Sequence, residues 1–437
     1  MAELLTRGTR LTAEASAQTC VVESLLGSGG QGEVYRGTLE GASLAVKWYY
    51  PPSATPAQRK TLSRLVEKGP PSPRFLWPLD LVSVPGRREF GYLMALREDR
   101  FHGMPDLLRR RFVPTFTALT TAAAQLAGSF LDLHAEGLCY RDISLGNVFF
   151  DPRRGDVLIC DNDNCAVEGE PTGILGTPDF MAPEVVRGEA LPSTNTDLFS
   201  LAVLLFMMLM NHHPLSGRRE LAIRCLDLPA KTKLFGTDPL FIFDPSDDSN
   251  RPDPVEQANA LTFWEMYPAF VRALFVQAFT NGIVDSSHGR VRESTWRESM
   301  LRLRDLVMYC SCGASNFHDP ESESGSDDSR RPCWNCQRLL RLPARLRLGK
   351  AFVMLNHDTK LFPHHVDRER RFDFSEVVAE VVRHPTSPDL WGLKNLTSGT
   401  WTGTNLAGVV RQVDPGRSVS LVRGTHIDFG KVQGEIV

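Results

Sequence analysis

The sequence predicts a multidomain α+β protein in which a β-rich lobe, a helical lobe, a cysteine-paired segment and a second β-rich unit follow one another. Its 437 residues exceed the ~100 to 200 residues of a typical domain. Apolar residues make up 42% and charged residues 23% of the chain, which is typical of folded globular proteins. Short apolar runs separated by glycines give way to long runs at helical spacing and then return, so the secondary structure changes along the chain.

The first β-rich lobe is predicted over residues 19–97. Short apolar runs separated by glycines up to Trp48 indicate antiparallel strands, and another strand is predicted over 90–96. A helix is predicted over 56–68 and ends before a cluster of prolines, which lack the N–H needed to continue it. Residues 1–18 show no sustained period, so we expect a flexible tail there.

The helical lobe is predicted over residues 98–305, because apolar residues recur there at the spacing of buried helices. Its long helices are expected over 116–134, 197–210 and 261–279. The most apolar run, Leu201–Met210, is about half the ~20 residues that span a bilayer. The N-terminus also lacks the pattern of a secretory signal. We therefore predict a cytoplasmic protein with no membrane partner.

A zinc-ribbon-like segment is predicted over residues 306–345, where cysteines occur in two close pairs suited to tetrahedral Zn²⁺. The proposed ligands are Cys310, Cys312, Cys333 and Cys336. The first pair is tighter than usual, and His318 is an alternative ligand; four free, buried cysteines are the other interpretation. The stretch 318–331 between the pairs contains almost only polar residues, so we expect a flexible acidic insertion.

The charge of the chain argues against a nucleic-acid partner. Its 49 Lys and Arg residues oppose 52 Asp and Glu residues, for a formal net charge of −3. No general electrostatic field therefore draws the protein to nucleic acid. A zinc-dependent nucleic-acid binder is accordingly disfavoured, and partners must be recognised by local sites.

A glycine-rich motif lies in the predicted β-rich lobe. Residues Gly27 to Val34 fit the pattern G-x-G-x-x-G-x-V, in which missing side chains allow backbone N–H groups to lie over phosphate oxygens. A plain glycine-rich hairpin would give the same pattern. Lys47 follows thirteen residues after Val34 and ends Leu44-Ala45-Val46-Lys47, similar to the V-A-I-K strand whose lysine pairs with nucleotide phosphates. Taken alone, Lys47 would be an ordinary solvated lysine.

A second motif presents a carboxylate and an amide from one loop. Asp142 and Asn147 are five residues apart, as in H-R-D-L-x-x-x-N, so one loop can offer a carboxylate to a substrate hydroxyl and an amide oxygen to Mg²⁺. Asp161 follows the apolar strand Val157 to Ile159. Taken singly, the two loop residues could instead make local turn hydrogen bonds.

These motifs, followed by Gly176-Thr177-Pro178 and Ala182-Pro183-Glu184, occur in the order found in protein kinases. Over residues 20–305 the chain resembles the eukaryotic-type protein kinase family. The resemblance implies a bilobal kinase fold and the transfer of the γ-phosphoryl group of ATP to Ser or Thr of protein substrates. It implies a catalytic base at Asp142, Mg²⁺ ligands at Asn147 and Asp161, and Lys47 on the nucleotide phosphates. The further nucleotide-binding residues that it implies are Gly27, Gly29, Gly32, Val34, Ala45, Met94 and Leu96.

The resemblance also implies supporting contacts in the helical lobe. Asp197 would brace the catalytic loop, although a helix N-cap is the simpler interpretation. Glu184 would pair with an arginine near the end of the lobe, for which Arg292 is the better candidate. A phosphate on Thr172 could pair with Arg141 and order the loop between them; an unmodified threonine is the alternative.

The chain departs from the kinase pattern at four places. Tyr140 replaces the usual histidine at a packing position. Asp161-Asn162-Asp163 replaces Asp-Phe-Gly, which removes the phenylalanine that packs in active and inactive states and makes Asp163 an alternative metal ligand. Ser144 replaces a lysine that reaches the γ-phosphate. These departures put the rate and its control in doubt.

The fourth departure concerns the partner of Lys47. Residues 56–66 contain no glutamate, which leaves Glu67, late in the predicted helix, as the candidate partner. Together with Ser144 this keeps open an alternative function, a pseudokinase scaffold that binds nucleotide and partner proteins without phosphotransfer.

The second β-rich unit is predicted over residues 346–437, where short apolar runs are punctuated by Gly and Pro. Trp391 to Thr400 and Gly424 to Gly430 look like the second half of a forkhead-associated β-sandwich, without the elements that read phosphothreonine. The order of kinase, zinc segment and β-sandwich is similar to bacterial kinases encoded beside a phosphatase and a von Willebrand-type protein in tellurium-resistance-linked operons. The resemblance implies a cognate phosphatase and a von Willebrand-type protein as partners.

Overall fold

The computed structural model describes residues 3–169, 175–320 and 331–437. Thr172 and residues 321–330 of the predicted insertion lie outside the described residues. The chain forms two compact units, one of residues 1–264 with 272–298 and the other of residues 265–271 with 299–437.

The N-terminal lobe of the first unit is a closed barrel with strand order β1-β2-β3-β4-β6-β5. Its strands are β1 (Arg10–Ala13), β2 (Thr19–Ser28), β3 (Gly32–Leu39), β4 (Ala42–Tyr49), β5 (Asp80–Ser83) and β6 (Phe90–Ala95), and helix α1 (Pro56–Lys68) lies between β4 and β5. The predicted strands and helix of this lobe are confirmed. Thr55 caps α1 by accepting a hydrogen bond from the Gln58 N–H, and Pro56 occupies the first turn, where its missing N–H costs nothing.

The flexible tail predicted for residues 1–18 is wrong. Residues 10–13 form β1, which pairs with β2 on one side and β5 on the other and so closes the barrel. Leu11 and Ala13 are fully buried, as is Leu5. Their alternation covers only four residues, which is too short to stand out as a period in the sequence, and the strand is fixed by pairing with distant segments.

The C-terminal lobe of the first unit is mainly helical, with one three-stranded sheet of order β10-β9-β7 and one two-stranded sheet of β11 and β8. Its elements as far as the middle of the lobe are β7 (His102–Gly103), α2 (Met104–Leu108), α3 (Phe116–Ala135), β8 (Leu138–Cys139), β9 (Val148–Phe150), β10 (Val157–Ile159), β11 (Ala166–Val167), α4 (Pro183–Val186) and α5 (Thr194–Met210). Then follow α6 (Arg218–Leu221), α7 (Leu228–Thr232), α8 (Ala258–Met266), α9 (Ala269–Phe279), α10 (Asn281–Val284) and α11 (Glu293–Asp305), of which α8, α9 and α11 also include residues assigned to the second unit. The predicted helices at 116–134 and 197–210 are confirmed as α3 and α5.

The single helix predicted over 261–279 is instead two helices, α8 and α9. Pro268 lies between them and has no N–H for a helical hydrogen bond, while its ring would clash with the carbonyl four residues earlier. The apolar spacing continues across the break, so periodicity alone does not reveal it.

The second unit begins its β structure with the hairpin β12 (Val307–Tyr309) and β13 (Ser315–Phe317). Two sheets follow, one with order β15-β14-β23-β22-β19-β20 and one with order β16-β17-β18-β21. Their elements are β14 (Arg345–Leu348), β15 (Ala351–Met354), β16 (Lys360–Leu361), α12 (Pro363–Val366), β17 (Ala379–Arg383), β18 (Trp391–Asn395), β19 (Trp401–Thr404), β20 (Val410–Val413), β21 (Ser418–Ser420), β22 (His426–Asp428) and β23 (Gln433–Ile436).

One apolar core joins the two sheets of this unit. Leu346 and Ile427 from the six-stranded sheet pack in the same cluster as Ala379 and Leu393 from the four-stranded sheet. The β-rich character predicted for this part of the chain is therefore confirmed. Within the described ranges, none of the helices is long and apolar enough to cross a membrane.

Candidate active site and cysteine cluster

The glycine-rich motif forms the turn between β2 and β3. The Gly29 N–H donates to the Gly32 carbonyl oxygen at 2.9 Å and closes the turn. A Cβ on Gly32 would lie 2.2 Å from the Trp48 carbonyl oxygen, so only glycine fits there. A Cβ on Gly27 or Gly29 would meet nothing within 4 Å. Those two glycines therefore leave open space beside the backbone, which a phosphate-binding loop requires.

Lys47 lies on β4 and is 5% exposed. Its ammonium is 2.9 Å from both carboxylate oxygens of Asp163, and 3.3 Å from Asp161 Oδ1 and Gln31 Oε1. Burial alone would lower the lysine pKa, but the carboxylates of Asp163 and Asp161 raise it above its ordinary value. The prediction that Glu67 pairs with Lys47 is wrong, because Glu67 is exposed near the end of α1 and forms no ion pair with Lys47.

Asp163 is 1% exposed and is held by several donors besides Lys47. The Tyr49 hydroxyl donates to one of its oxygens, and the Tyr92 hydroxyl donates to the other at 3.1 Å. Gln58 of α1 donates to the Tyr49 hydroxyl at 3.2 Å and to the Asp163 main-chain carbonyl at 3.1 Å. By contrast, 41% of the Asp161 side chain is exposed. Asp161 therefore faces the cleft, whereas the Asp163 carboxylate is already satisfied inside the protein.

Desolvation raises the pKa of Asp161, and the neighbouring Asp163 carboxylate acts in the same direction, while Lys47 opposes both. Asp161 itself is in the left-handed region, with φ of 52°, which is uncommon for a residue other than glycine. Asp161 in this conformation is the N-cap residue of the short helical turn Asn162–Asn164. The turn carries the carboxylates at 161 and 163 to different surroundings.

The catalytic-loop residues contact one another. The Asn147 amide donates to the Asp142 carbonyl oxygen at 2.8 Å, which leaves the Asn147 side-chain oxygen without a hydrogen bond from the described residues. The Thr177 hydroxyl donates to the Asp142 carboxylate at 2.8 Å. The Cys160 N–H donates to the Asn147 main-chain carbonyl at 3.0 Å, which holds the start of the Asp161 turn beside the loop.

Asp197 braces this loop, as the resemblance implied. Its carboxylate accepts the N–H of Tyr140 at 2.6 Å and the N–H of Arg141 at 2.9 Å. His134 of α3 adds a contact at 3.2 Å to the same carboxylate and also contacts Glu293. Burial alone would lower the His134 pKa, but its hydrogen bonds to Asp197 and Glu293 raise it to about 9. Nothing in the sequence motifs indicated this histidine.

Two of the departures from the kinase pattern lie inside the loop. Tyr140 is fully buried, packs edge-on against Phe130 with ring centroids 5.5 Å apart, and donates its hydroxyl to the Cys160 carbonyl. An aromatic side chain is thus accommodated at the histidine position. Ser144 is 7% exposed, and its short side chain offers no positive charge.

The arginine that pairs with Glu184 is Arg290, so the prediction of Arg292 is wrong. Arg290 Nη2 lies 2.6 Å from Glu184 Oε1, and the arginine side chain is 2% exposed. Its other terminal nitrogen donates to the Asn195 carbonyl oxygen at 2.8 Å. Arg292 is exposed. The two arginines are equivalent in sequence context, and only their burial distinguishes them.

An apolar cluster lies beside these polar groups. Ala45 on β4 and Met94 on β6 are register partners and are almost fully buried. Val34, Leu96 and Leu158 pack against the same cluster. Four of these residues were predicted as nucleotide-binding residues. Leu158, on β10, packs against the same cluster three residues before Asp161 but was not among the predicted nucleotide-binding residues.

The four predicted zinc ligands converge in the second unit. All four sulfur atoms lie within 4.8 Å of one another. Cys310 Sγ is 3.6 Å from Cys336 Sγ, and Cys312 Sγ is 3.8 Å from Cys333 Sγ. A tetrahedral zinc with Zn–S bonds of about 2.3 Å would place its ligands about 3.8 Å apart. The donor set and its spacing therefore fit one Zn²⁺.

The surroundings of Cys333 favour its thiolate over its thiol. Burial alone would raise the pKa of Cys333, but the backbone N–H groups of residues 336 and 335 and the Asn316 amide lower it to about 6. The Asn316 amide nitrogen lies 3.5 Å from Cys333 Sγ. His318, the alternative ligand, instead accepts a hydrogen bond from Arg345 at 3.1 Å and is not part of the sulfur cluster.

Comparison with known proteins agrees with the kinase motifs. Residues 94–256 match the family model described as the protein kinase domain. The protein kinase C delta type of Mus musculus is 37% identical over 105 residues, which cover 23% of this chain and 15% of that protein. The cell cycle serine/threonine-protein kinase CDC5/MSD2 of Saccharomyces cerevisiae is 33% identical over 118 residues, which cover 26% of this chain and 17% of that protein.

A putative protein kinase C delta type homolog of Drosophila melanogaster is 38% identical over 101 residues, which cover 22% of this chain and 15% of that protein. The matches thus span less than a fifth of the length of these relatives. They agree with the motifs between Asp142 and Glu184, and the matched part of the chain, residues 94–256, is a protein kinase domain of the eukaryotic type.

Proposed function

We propose that this chain is a Ser/Thr protein kinase that transfers the γ-phosphoryl group of ATP to protein hydroxyls. The observation that carries the proposal is a continuous series of contacts across one cleft. The Lys47 ammonium lies 3.3 Å from the Asp161 carboxylate. The N–H of Cys160, the residue before Asp161, donates to the Asn147 main-chain carbonyl at 3.0 Å, and the Asn147 amide donates to the Asp142 carbonyl oxygen at 2.8 Å. A phosphate-binding cation, two oxygen ligands for a metal and a base are the groups that phosphoryl transfer needs.

The nucleotide would bind between the apolar cluster and the glycine-rich turn. Ala45, Met94 and Leu158 offer apolar surface to an adenine ring. Gly27 and Gly29 leave space beside the turn in which phosphate oxygens could approach the backbone. Lys47, kept protonated by its carboxylate neighbours, would hold a phosphate by charge-assisted hydrogen bonds.

Asp161 and Asn147 fit a Mg²⁺ ion. Asp161 offers a partly exposed carboxylate, and Asn147 offers a side-chain oxygen that is free of hydrogen bonds from the described residues. Both are the hard oxygen donors that Mg²⁺ prefers. When bound, Mg²⁺ supplies positive charge that neutralises the phosphate oxygens.

Asp142 would orient and deprotonate the substrate hydroxyl. Thr177 fixes one carboxylate oxygen by a hydrogen bond of 2.8 Å, and the Asn147 amide lies 3.3 Å from the other. These contacts select one orientation of the carboxylate while the loop backbone is held by Asp197. Such positioning is the main contribution a protein makes to phosphoryl transfer.

The test compares two aspartate variants with a surface control. Asp161→Ala should weaken Mg·ATP binding and lower the rate, because it removes a metal ligand. Asp142→Ala should leave Mg·ATP affinity nearly unchanged and lower turnover by ~10² to 10⁴, as expected for loss of a general base. Asp248→Ala, which removes an exposed carboxylate, should match wild type in both measurements.

The competing function is a pseudokinase scaffold, which Ser144 and the lack of a helix carboxylate favour. The same measurements decide between the two. If wild-type protein binds Mg·ATP yet transfers no phosphate to itself or to generic protein substrates above the Asp142→Ala background, the scaffold replaces the kinase.

We infer that the second unit holds a structural zinc and serves as a docking or regulatory module. The sulfur geometry supports zinc, and the two-sheet arrangement is compatible with a forkhead-associated-like sandwich. Asn395 fixes the loop after β18 by donating to the carbonyl oxygens of Gly399 at 2.7 Å and Val413 at 2.9 Å. A loop held in this way can present a surface to a protein partner. A cognate phosphatase and a von Willebrand-type protein remain the partners suggested by resemblance.

A further inference from the structure

We propose that Asp163 is the positioning residue that anchors Lys47, in place of a carboxylate on the N-terminal-lobe helix. This rests on the proposed nucleotide site and specifies how its lysine is held. In protein kinases the lysine of this strand must pair with a helix glutamate for activity. Here α1 offers no acid to Lys47, and Asp163 stands where the kinase motif has glycine.

The contacts identify Asp163 as the main partner of the lysine. Both of its carboxylate oxygens lie 2.9 Å from the Lys47 ammonium, whereas Asp161 presents one oxygen at 3.3 Å. The Asp163 side chain is fully buried and that of Lys47 is 6% exposed. A pair in these surroundings is little screened by water and salt, unlike the Asp161 contact, which reaches the cleft.

The Asp163 carboxylate is held by side chains on two adjacent strands, β4 and β6. Lys47 on β4 pairs directly across the sheet with Tyr92 on β6, and Tyr49, two residues beyond Lys47, lies on the same face of β4. Both tyrosine hydroxyls donate to Asp163. Asn162 fixes the turn from the other side, because its amide donates to the carbonyl oxygens of Leu76 at 2.9 Å and Ile159 at 3.0 Å.

Helix α1 supplies only a neutral group to this cluster. Gln58 donates to the Tyr49 hydroxyl at 3.2 Å and to the Asp163 carbonyl oxygen at 3.1 Å. A glutamate at position 58 would therefore lie next to the same hydroxyl that contacts the anchor. The anchoring charge thus comes from the turn that also carries Asp161, so one turn sets both the lysine and the proposed metal ligand.

The experiment uses the full chain and measures Mg·ATP affinity, turnover and melting temperature. Asp163→Asn keeps the shape and removes the charge. We expect it to weaken Mg·ATP binding about tenfold to a hundredfold, the effect of losing a charge-assisted hydrogen bond. Adding Gln58→Glu to Asp163→Asn should recover most of that loss, because it returns a carboxylate from the helix. A purely structural role would not be rescued in this way.

The matched control is Asp80→Asn, another buried carboxylate of the same barrel. Asp80 is 8% exposed and accepts hydrogen bonds from Ala15 and Ser16 but not from a lysine. It should lower the melting temperature without changing Mg·ATP affinity. If Asp163→Asn does not fold, Asp163→Ser, which can still accept a hydrogen bond from a tyrosine, carries the same expectation.

Two results would overturn the assignment. Unchanged Mg·ATP binding by the Asp163 variants would show that Asp163 does not position Lys47 for nucleotide binding. Tighter binding would show that Asp163 holds Lys47 away from the nucleotide. An equal loss of affinity in Asp80→Asn would show a general effect of barrel destabilisation. If wild type binds Mg·ATP but transfers no phosphate, only the proposed kinase activity fails, because the affinity measurements still test the anchor.

Discussion

Deprotonation of His134 should weaken the support of the catalytic loop. The His134 ring lies between Asp197 and Glu293, and 9% of its side chain is exposed. Solvent screening of these contacts is therefore small. A pKa raised from 6.5 to about 9 corresponds to about 3 kcal/mol of folding free energy. Because the folded pKa is the higher one, this stabilisation is fully present below pH 6.5 and is lost as the pH rises through about 9.

The assay follows urea unfolding of the full chain between pH 6 and pH 10, for wild type and His134→Gln. Wild type should lose about 3 kcal/mol more than His134→Gln across this range, since the variant has no proton to lose there. His288→Gln, at an exposed histidine, should behave as wild type. Parallel pH profiles for wild type and His134→Gln, or an NMR titration of the His134 ring below pH 7, would refute the reasoning.

Four further predictions concern other parts of the chain. Purified protein should contain about one Zn²⁺ per chain, and Cys333→Ser should lose it, because thiolate ligation couples metal binding to folding; metal analysis that finds no zinc in wild type would contradict this. Arg290→Ala should destabilise the protein by about 3 kcal/mol, since it leaves the Glu184 carboxylate, whose side chain is 15% exposed, without its buried partner, whereas Arg292→Ala should change the free energy of unfolding by less than about 0.5 kcal/mol. Ser144→Lys should raise turnover by adding a cation near the γ-phosphate, and an unchanged rate in phosphotransfer assays would mean that the serine is not limiting. The second unit should bind protein without strict dependence on phosphothreonine, a result that tight, phosphatase-sensitive peptide binding would overturn.

The sequence predicted those features that local patterns encode. Strands β2, β3, β4 and β6 of the N-terminal lobe follow from short apolar runs, and the convergence of Cys310, Cys312, Cys333 and Cys336 follows from two close pairs. Each pair already fixes two sulfur atoms near each other, so only one long-range contact remained to be formed. The helix at 197–210 was predictable for the same reason, because its apolar surface is continuous along the chain.

What could not be predicted depends on contacts between distant segments. Asp163 and Lys47 are 116 residues apart in the chain, and nothing near either residue indicates the other. Strand β1 is four residues long and exists because two other strands flank it. The choice of Arg290 over Arg292 is decided by burial in the assembled lobe. In each case the folded surroundings, and not the residue type, determine the outcome.

The position of β23 in the second unit has a consequence for biosynthesis. This strand, Gln433–Ile436, lies between β14 and β22 in the six-stranded sheet. Until residues 433–436 have been synthesised, the hairpin of β14 and β15 has no strand through which to join the rest of that sheet. The first unit is complete in the nascent chain much earlier, and domains generally fold in the order of their synthesis. The second unit should therefore complete its fold only after residues 433–436 have been synthesised, and its unpaired strands should need protection from aggregation until then.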